Sequence, residues 1–471
     1  MVLAIAIVFA IALTSVALFV DPNDFKPLLV RTVFEKKQRT LNFEGPIKLR
    51  VFPRIALDLG RVSLSEYRSR EIFMAIDKAE LEVAWLPLIK KRLVVEGIRL
   101  DGVSARVIRY SNGVFNFADL LQQETPSQID FDIATLSVRN GSVVLDDRKG
   151  LRTYTARKLA LRTGRLVNGR ETEVVLSGEL IAPQPRLALG FNARTRLTFN
   201  TRARRYQVRA LDLSARGQAL NLTEVALRMR GDALLEKTLK RGANTQLSLD
   251  GKRGDWRSHV EMTLPSWLLS AGALTLEKPQ LVVRFERSQT RIGIEAKAAS
   301  LQQQPGAWSA GAVAYTLNGQ FGGTAVRGQL SSPLAIDTVT PHVEFKDVSG
   351  VLGVAGQRWN SGGFKANLRG RMTFAPRDKV PFTLVTNATA HTTKAYIDFA
   401  LDRLTPSHFK FNAKLDKLEL DRFLSRGPSR DAAKGGTAKI PELKSDGDIT
   451  IGELSYGTTR AQGVRIEIRD D

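Results

Sequence analysis

The sequence predicts a mainly β fold, with one membrane-spanning helix at the start and a large antiparallel β structure after it. Three observations lead to this fold class. The first twenty residues are almost uniformly apolar, short apolar runs with a period of two recur over the rest of the chain, and Gly, Asn and Asp separate those runs. Alternation of apolar and polar residues is typical of a strand that buries one face.

The composition fits a folded protein of two to three domains. The chain has 471 residues, of which 43% are hydrophobic and 25% charged, so it is too apolar to be disordered throughout. It contains no cysteine, which excludes disulfides, cysteine-based zinc sites and a catalytic thiol. The absence of cysteine also suits an oxidising compartment, where stray thiols are a liability.

Residues 2–20 predict a transmembrane anchor, because only Thr14 and Ser15 are polar in this uncharged stretch. At about 1.5 Å per residue such a helix spans roughly the hydrocarbon core of a bilayer. A cleaved signal peptide is the alternative, but its apolar core is usually about 7–15 residues long. The basic residues after the span favour a cytoplasmic position for the segment that contains them, unless a basic start of the natural protein is missing.

After the span, the period of the apolar residues predicts first a helix and then strands. Asp21 and Pro22 suit a helix start, and an amphipathic helix is expected to reach about Lys37. Further short helices are expected near 116–121, 234–240 and 420–424. The alternating apolar positions expected to share one buried or groove-lining face are Ile47, Leu49, Val51, Ile55, Leu57, Leu59, Leu81, Val83 and Trp85.

A weak internal repeat relates residues 98–105 to residues 136–143, and residues 446–449 start a third, partial copy. Each copy places an Asp-Gly or Asn-Gly pair next to a strand, which predicts a tight hairpin turn at that pair. Two interpretations remain open. Any hairpin-rich protein generates such matches, or a β unit is repeated along one axis.

No motif for catalysis or metal binding is found. The four histidines are far apart in sequence, and there is no nucleophile elbow, P-loop or dinucleotide fingerprint. Acidic pairs at 130/132, 146/147 and 446/448 are expected to be solvated turns. We therefore expect a protein that is not an enzyme and has no catalytic residue, no metal and no cofactor. The histidines are His259, His342, His391 and His408.

The formal net charge is +22, and residues 151–230 carry half of that surplus, with 16 Lys and Arg against 5 Asp and Glu. Solvated outer strand faces are the plain explanation for these arginines. Attraction to anionic lipid headgroups is the alternative. Nucleic acid is not expected as a partner, because the arginines stand singly in alternating strands without an aromatic stacking platform.

Several motifs together resemble the start of the AsmA family. They are Asp-Pro-Asn-Asp-Phe-Lys-Pro at 21–27, Phe-Glu-Gly-Pro-Ile at 43–47, Phe-Pro-Arg-Ile-Ala-Leu at 52–57, the run at 79–89, Gly-Ile-Arg-Leu-Asp-Gly at 97–102 and Gly-Val-Phe-Asn-Phe at 113–117. Residues 415–424 resemble the approach to the family's C-terminal module, most of which is absent. The natural polypeptide is therefore expected to extend beyond Asp471.

The resemblance implies a bacterial inner-membrane protein with its bulk in the periplasm. It also implies a long curled β-sheet of the repeating-groove type, related to chorein-type bridge proteins that move lipids between membranes. Phospholipid is the implied partner, and the nine alternating residues from Ile47 to Trp85 are the candidate groove lining. The alternative function is a non-enzymatic scaffold that influences outer-membrane protein assembly by protein contact. The lipid and the direction of transport stay open.

The expected domains are the anchor at 1–20 and an N-terminal module at 21–125. An elongated β body at 126–436 and the start of a C-terminal module at 437–471 complete the chain. Polar segments near 122–128 and 425–437 are the predicted linkers between them.

Overall fold

The computed structural model describes residues 21–50, 55–84, 95–121, 132–201, 203–357, 359–404, 407–424 and 444–469. Within these ranges the protein is mainly β, with few helices, which confirms the predicted class. The predicted anchor at 1–20 lies outside them. None of the helices in the described ranges has the length and apolar character needed to cross a membrane.

The helices are short and lie mainly near the start of the chain. A 3-10 turn at Pro22–Asp24 leads into α1 (Phe25–Lys37), and Gln38 ends α1 in the left-handed conformation, with φ of 52°. Contrary to the amphipathic pattern, Leu28 and Leu29 on α1 are exposed, over 61% and 38% of their surfaces. Within the described ranges, the other helical segments are α2 (Ala118–Leu121), a 3-10 turn at Asn360–Gly362, and α3 (Leu420–Phe423).

The expected helix near 234–240 is wrong. One strand ends there at Leu235 and the next begins at Leu239, because the alternating pattern covers most of the segment. The chain divides at this point into two compact units, residues 1–237 and 238–471. The domain limits expected at 125/126 and 436/437 lie in segments outside the described residues and stay predictions.

In the first unit nearly all strands pair with a neighbour in sequence. The central ladder runs from β3 through β4, β5, β7, β8, β10, β11 and β12 to β13, with β1 and β2 both on β3. The strands are β1 (Leu41–Glu44), β2 (Lys48–Arg50), β3 (Ala56–Ser65), β4 (Ile72–Val83), β5 (Val95–Arg109), β6 (Asp132–Ile133), β7 (Thr135–Asp147), β8 (Arg152–Thr163), β9 (Leu166–Val167), β10 (Glu171–Ala182), β11 (Leu187–Asn200), β12 (Arg205–Ala219) and β13 (Leu222–Leu235). Short β6 and β9 pair with each other.

In the second unit the ladder runs from β14 to β28 with a local branch at β15, which pairs with both β16 and β17. The branches rejoin on β20 through β19 and β18. The strands are β14 (Leu239–Arg253), β15 (Trp256–Ser270), β16 (Ala273–Glu277), β17 (Gln280–Arg287), β18 (Thr290–Ala298), β19 (Ser300–Gln304), β20 (Ala307–Phe321), β21 (Thr324–Asp337), β22 (His342–Ala355), β23 (Gly363–Phe374), β24 (Phe382–Ala390), β25 (Thr393–Leu404), β26 (Ser407–Glu419), β27 (Lys444–Tyr456) and β28 (Thr459–Ile468).

The repeated segments lie side by side, but the predicted hairpin turns are wrong. β5 and β7 pair in parallel with Ile98 opposite Leu136, and the Asp-Gly and Asn-Gly pairs fall inside these long strands. Gly102 and Asn140 do have positive φ, of 67° and 53°, as the turn chemistry requires. The residues therefore make irregularities in continuing strands, not chain reversals.

The third, partial copy also lies inside a strand, β27, which pairs in parallel with β26. In both parallel pairs a long stretch of sequence separates the two strands, from Arg109 to Thr135 and from Glu419 to Lys444. A parallel neighbour needs such a crossover connection, whereas an antiparallel one does not. The expected wholly antiparallel sheet is corrected accordingly.

A fully buried arginine ties the first helix to the first sheet strands. Arg39 is 0% exposed, and its Nε and Nη2 each donate to an Asp119 carboxylate oxygen at 2.7 Å. Its Nη1 donates to the Ser65 carbonyl at 2.8 Å, and its Nη2 also donates to the Asn116 carbonyl at 2.6 Å. The guanidinium stacks 4.9 Å from the centre of the Phe73 ring. The charge is thus paired and its donors are used, which burial demands.

Candidate functional site

The predicted groove residues that fall in the described ranges form one apolar cluster. The sheet register brings Leu49 opposite Leu57 and Leu57 opposite Leu81, so these residues share a face. The members of the cluster are Ile47, Leu49, Ile55, Leu57, Leu59, Leu81 and Val83. The other two predicted lining residues, Val51 and Trp85, lie outside the described residues.

This cluster is packed, and its central side chains have little surface left to offer a ligand. Ile47 and Val83 are 4% and 3% exposed, and Ile55 and Leu57 are each 8% exposed. Side chains at such values are in contact with one another and have lost most of their contact with water. The residues near the start of the sheet therefore contribute mainly to its core.

The second unit has a different kind of apolar face. On β17 and β18, Leu281, Phe285 and Ile294 all lie on one side of the sheet, because directly opposed residues of an antiparallel pair share a face. Their surfaces remain 37%, 37% and 36% exposed. Large apolar side chains in neighbouring strands thus form one accessible patch. Such a patch differs from single apolar residues scattered over a surface, which are common.

The alternate positions of the same two strands are charged. Arg284, Glu286, Arg291, Glu295 and Lys297 lie on the opposite side from Leu281. There Lys297 donates to Glu295 at 2.6 Å, and this hydrogen bond is the main reason that the pKa of Glu295 lies below its usual value. The sheet therefore has one face that is stable in water and one that is not fully covered.

The apolar face continues into the later strands as a row of phenylalanines. Phe374 of β23 lies opposite Phe382 of β24, and Leu401 of β25 lies opposite both Phe382 and Phe409. The Phe399 ring centre is 6.0 Å from that of Phe382 and 5.4 Å from that of Phe409. Phe374 remains 39% exposed.

Tyr315 places a polar hydroxyl on this apolar face. The hydroxyl of Tyr315, on β20, is buried and has no hydrogen-bond partner among the described residues. Burial raises the pKa of Tyr315 to about 12, because the charged phenolate would lose its water. The ring packs edge-on against Phe345, with the ring centres 5.8 Å apart.

In the first unit, beyond the packed cluster, an apolar row crosses β7, β8 and β10 to β13. Each member lies opposite the next in the register, and each is half-buried. The row consists of Val138, Leu161, Leu176, Ala193, Leu213 and Met229. Both units thus have a two-faced sheet with apolar side chains on one face.

Members of the acidic pairs, and two of the four histidines, His259 and His408, lie against charged partners. Asp132 accepts two hydrogen bonds from Arg165, both at 2.6 Å, and Asp448 pairs with Arg465 and Arg469. His408 lies between two carboxylates, 2.6 Å from Asp402 and 3.4 Å from Asp446. Across the described parts of the chain, no group of three or more His, Asp or Glu is arranged to hold a metal ion.

Sequence reasoning named the packed cluster and missed the exposed apolar face of the second unit. The signal was present in part: Val283 and Phe285 alternate with Arg284 and Glu286, and Arg291 and Glu295 flank the stretch from Ile292 to Ile294. Alternation alone does not tell a covered face from an uncovered one. Arg39 was missed as well, since its partners are remote in sequence.

The fold and this face define a class: a two-faced β protein whose apolar face is accessible in part. Residues 1–210 match the sequence model of the AsmA family. Protein AsmA of Escherichia coli (strain K12) is 31% identical over 96 residues, which cover 20% of this chain and 16% of that relative. The chain is thus similar to the AsmA family over its first 210 residues. The matched part spans less than a fifth of the relative's length, and no solved structure matches the chain.

Proposed function

We propose that this chain is an envelope protein that holds or conducts phospholipid along its apolar sheet face. In this proposal residues 2–20 anchor it in the bacterial inner membrane, and the bulk of the chain lies in the periplasm. The protein then supports lipid homeostasis and biogenesis of the outer membrane, without catalysis. The similarity of residues 1–210 to the AsmA family and the β-rich architecture are consistent with a lipid-transport-like role in the envelope.

The observation that carries the proposal is the exposure of the apolar face on β17 and β18. Leu281, Phe285 and Ile294 are each more than a third exposed, although the sheet turns its charged residues to the other side. Leaving such a face in water is unfavourable. An acyl chain laid along it would gain about 0.8 kcal/mol for each CH₂ group that it buries.

The face also has the chemistry of a lipid-tail site rather than of a site for a polar ligand. Most of its side chains are aliphatic or aromatic, from Leu281 on β17 to Phe409 on β26. A site for a polar molecule needs several placed hydrogen-bonding groups to fix the ligand. Acyl chains need only apolar contact, and a row of such contacts allows movement along it.

The packed cluster around Leu57 and Val83 does not suit the lipid contacts that the sequence predicted there. Because these side chains are buried against each other, we place the lipid contacts on the half-exposed face of the second unit. For the 47–83 region the packing favours the second candidate, a scaffold that acts by protein contact. The two functions concern different parts of the chain and are tested separately.

The test is to quantify the phospholipid that co-purifies with the full chain, by extraction and mass spectrometry. Substituting Leu281→Glu, Phe285→Glu and Ile294→Glu should lower the bound phospholipid, because a carboxylate on the apolar face excludes acyl chains. The matched control puts the same acids on the opposite face, as Arg284→Glu, Arg291→Glu and Lys297→Glu, and should keep the lipid. Equal lipid content in both variants, with both folded, would contradict the proposal.

A further inference from the structure

The face of the first unit opposite its apolar row is strongly basic. It spans β8 and β10 to β13, and its cations stand in register. Arg194 lies opposite Asp212, which lies opposite Arg230, while Arg162 lies opposite Val175 in the same row. The basic face consists of Arg157, Lys158, Arg162, Arg194, Arg196, Arg209, Arg216, Arg228 and Arg230, all exposed.

The carboxylates on this face are too few to neutralise it. The carboxylate of Glu179 forms ion pairs with both Arg157 and Lys158, with N–O distances of 2.7 Å. Glu171 similarly serves both Arg196 and Arg209, at 3.9 and 3.7 Å. Sharing of this kind leaves about one uncompensated positive charge for each carboxylate.

Three further cations on the basic face have no carboxylate partner among the described residues. Among the residues that the structure describes, Arg162, Arg216 and Arg228 make no ion pair. Moreover, Arg196 and Arg209 lie directly opposite each other across β11 and β12. Like charges in that position repel each other and destabilise a sheet. An external anion bound near both arginines would reduce this repulsion.

We propose that this basic face binds the surface of an anionic phospholipid bilayer. Neighbouring strands lie about 4.8 Å apart, so the five strands spread the cations over a width of roughly 20 Å. An array of single charges of that width fits many headgroup phosphates at once. Each exposed Lys or Arg adds attraction near such a surface, and the attraction falls within about one Debye length.

A nucleic acid fits the same face less well. The outward positions of β8 and β10 to β13 carry no aromatic side chain over the residues in register, from Thr155 on β8 to Arg230 on β13. Binding of single strands relies on aromatic side chains on which the bases stack. The binding proposed here also uses none of the apolar residues to which the proposed function assigns the lipid tails.

The test is flotation of the full chain with phosphatidylcholine vesicles, with and without a minority of phosphatidylglycerol, at low and at high salt. Insertion of the apolar N-terminal segment contributes equally to both vesicle types, so the ratio of binding between them reports the basic face. For the unchanged chain we expect preference for the anionic vesicles and loss of that preference at high salt. The variant Arg162→Gln, Arg216→Gln and Arg228→Gln should weaken binding to anionic vesicles about 100-fold.

The matched control removes the same net charge elsewhere, from exposed positions on the charged face of the second unit. It carries Arg291→Gln, Arg327→Gln and Arg371→Gln and should keep the preference. Circular dichroism and the melting temperature establish that both variants are folded. Equal loss in both variants would assign the effect to net charge alone and overturn the proposal, as would no loss in either. Binding to an oligonucleotide without preference for anionic vesicles would overturn it too.

Discussion

The guanidinium of Arg39 and the carboxylate of Asp119 meet through two hydrogen bonds of 2.7 Å, although 80 residues separate them in sequence. The pair joins the end of α1 to α2, the crossover that precedes the parallel strand β7. Asn116 extends the link, since its Nδ2 donates to Glu66 at 2.6 Å and to the Arg106 carbonyl at 2.9 Å. A closed network of this kind fixes the start of the sheet.

Breaking the pair should be costly. Asp119→Asn removes the charge while Arg39 stays fully buried, so we expect a loss of about 3–5 kcal/mol in the free energy of unfolding, measured by urea denaturation. The control is Arg31→Gln, which breaks an ion pair whose side chains are 78% and 57% exposed and should therefore lower stability far less. Similar losses for both variants would mean that the buried pair is not a special element of stability.

The same pair predicts a pH dependence. The hydrogen bonds from Arg39 hold the pKa of Asp119 below its usual value. A carboxyl group whose pKa is lower in the folded state stabilises fully above its unfolded pKa of about 3.9, and that stability is lost as the pH falls through the folded value. The stability difference between the unchanged chain and Asp119→Asn should therefore be constant near neutral pH and shrink below about pH 4. A difference that grows on acidification would refute this.

A glycine in β22 should resist substitution. Gly350 has φ of 152°, and a Cβ atom there would collide with the backbone carbonyl oxygen of Gln329 on β21. Gly350→Ala should lower stability by about 2 kcal/mol or more, because the backbone has to move. Gly353→Ala is the control in the same strand, since the nearest atom to its Cβ would be 3.7 Å away. A melting temperature unchanged by Gly350→Ala would show that this close approach does not exist.

Removing the unpaired hydroxyl of the apolar face should help folding. Tyr315→Phe deletes a buried group that lacks a partner among the described residues and keeps the ring against Phe345. We expect stability to rise by about 1 kcal/mol, since a buried unsatisfied polar group carries a penalty of about 1–3 kcal/mol. Loss of stability instead would indicate that the hydroxyl finds an acceptor, such as bound lipid or water.

The strands and their faces could be predicted from the sequence because period-two alternation is a local property. Seven of the nine predicted lining residues indeed lie together. The 3-10 turn begins at Pro22, directly after Asp21, and α1 ends at the predicted Lys37. The parallel pairing could not be predicted. Asp101-Gly102 and Asn140-Gly141 supply the positive φ that a hairpin turn needs, but the same φ serves an irregularity inside a strand.

The burial of the Arg39 charge could not be predicted from the sequence either. Arg39 comes after other basic residues that succeed the apolar N-terminal segment and has the pattern of a solvated cation. Its burial depends on Asp119 and Asn116, which the fold brings to it. In the same way, alternation identified apolar faces but not their exposure, because exposure depends on the groups that pack over each strand.

The most direct measurement is photo-crosslinking from matched positions on the two faces of β17 and β18. A benzophenone amino acid at Phe285 or Ile294 points to the apolar face, and the same group at the neighbouring Arg284 or Glu295 points to the charged face. Irradiation in intact cells, with mass spectrometry of the products, should yield phospholipid adducts from 285 and 294 and none from 284 and 295. Adducts to protein alone at 285 and 294, or equal lipid capture from both faces, would contradict the proposal that this apolar face holds phospholipid.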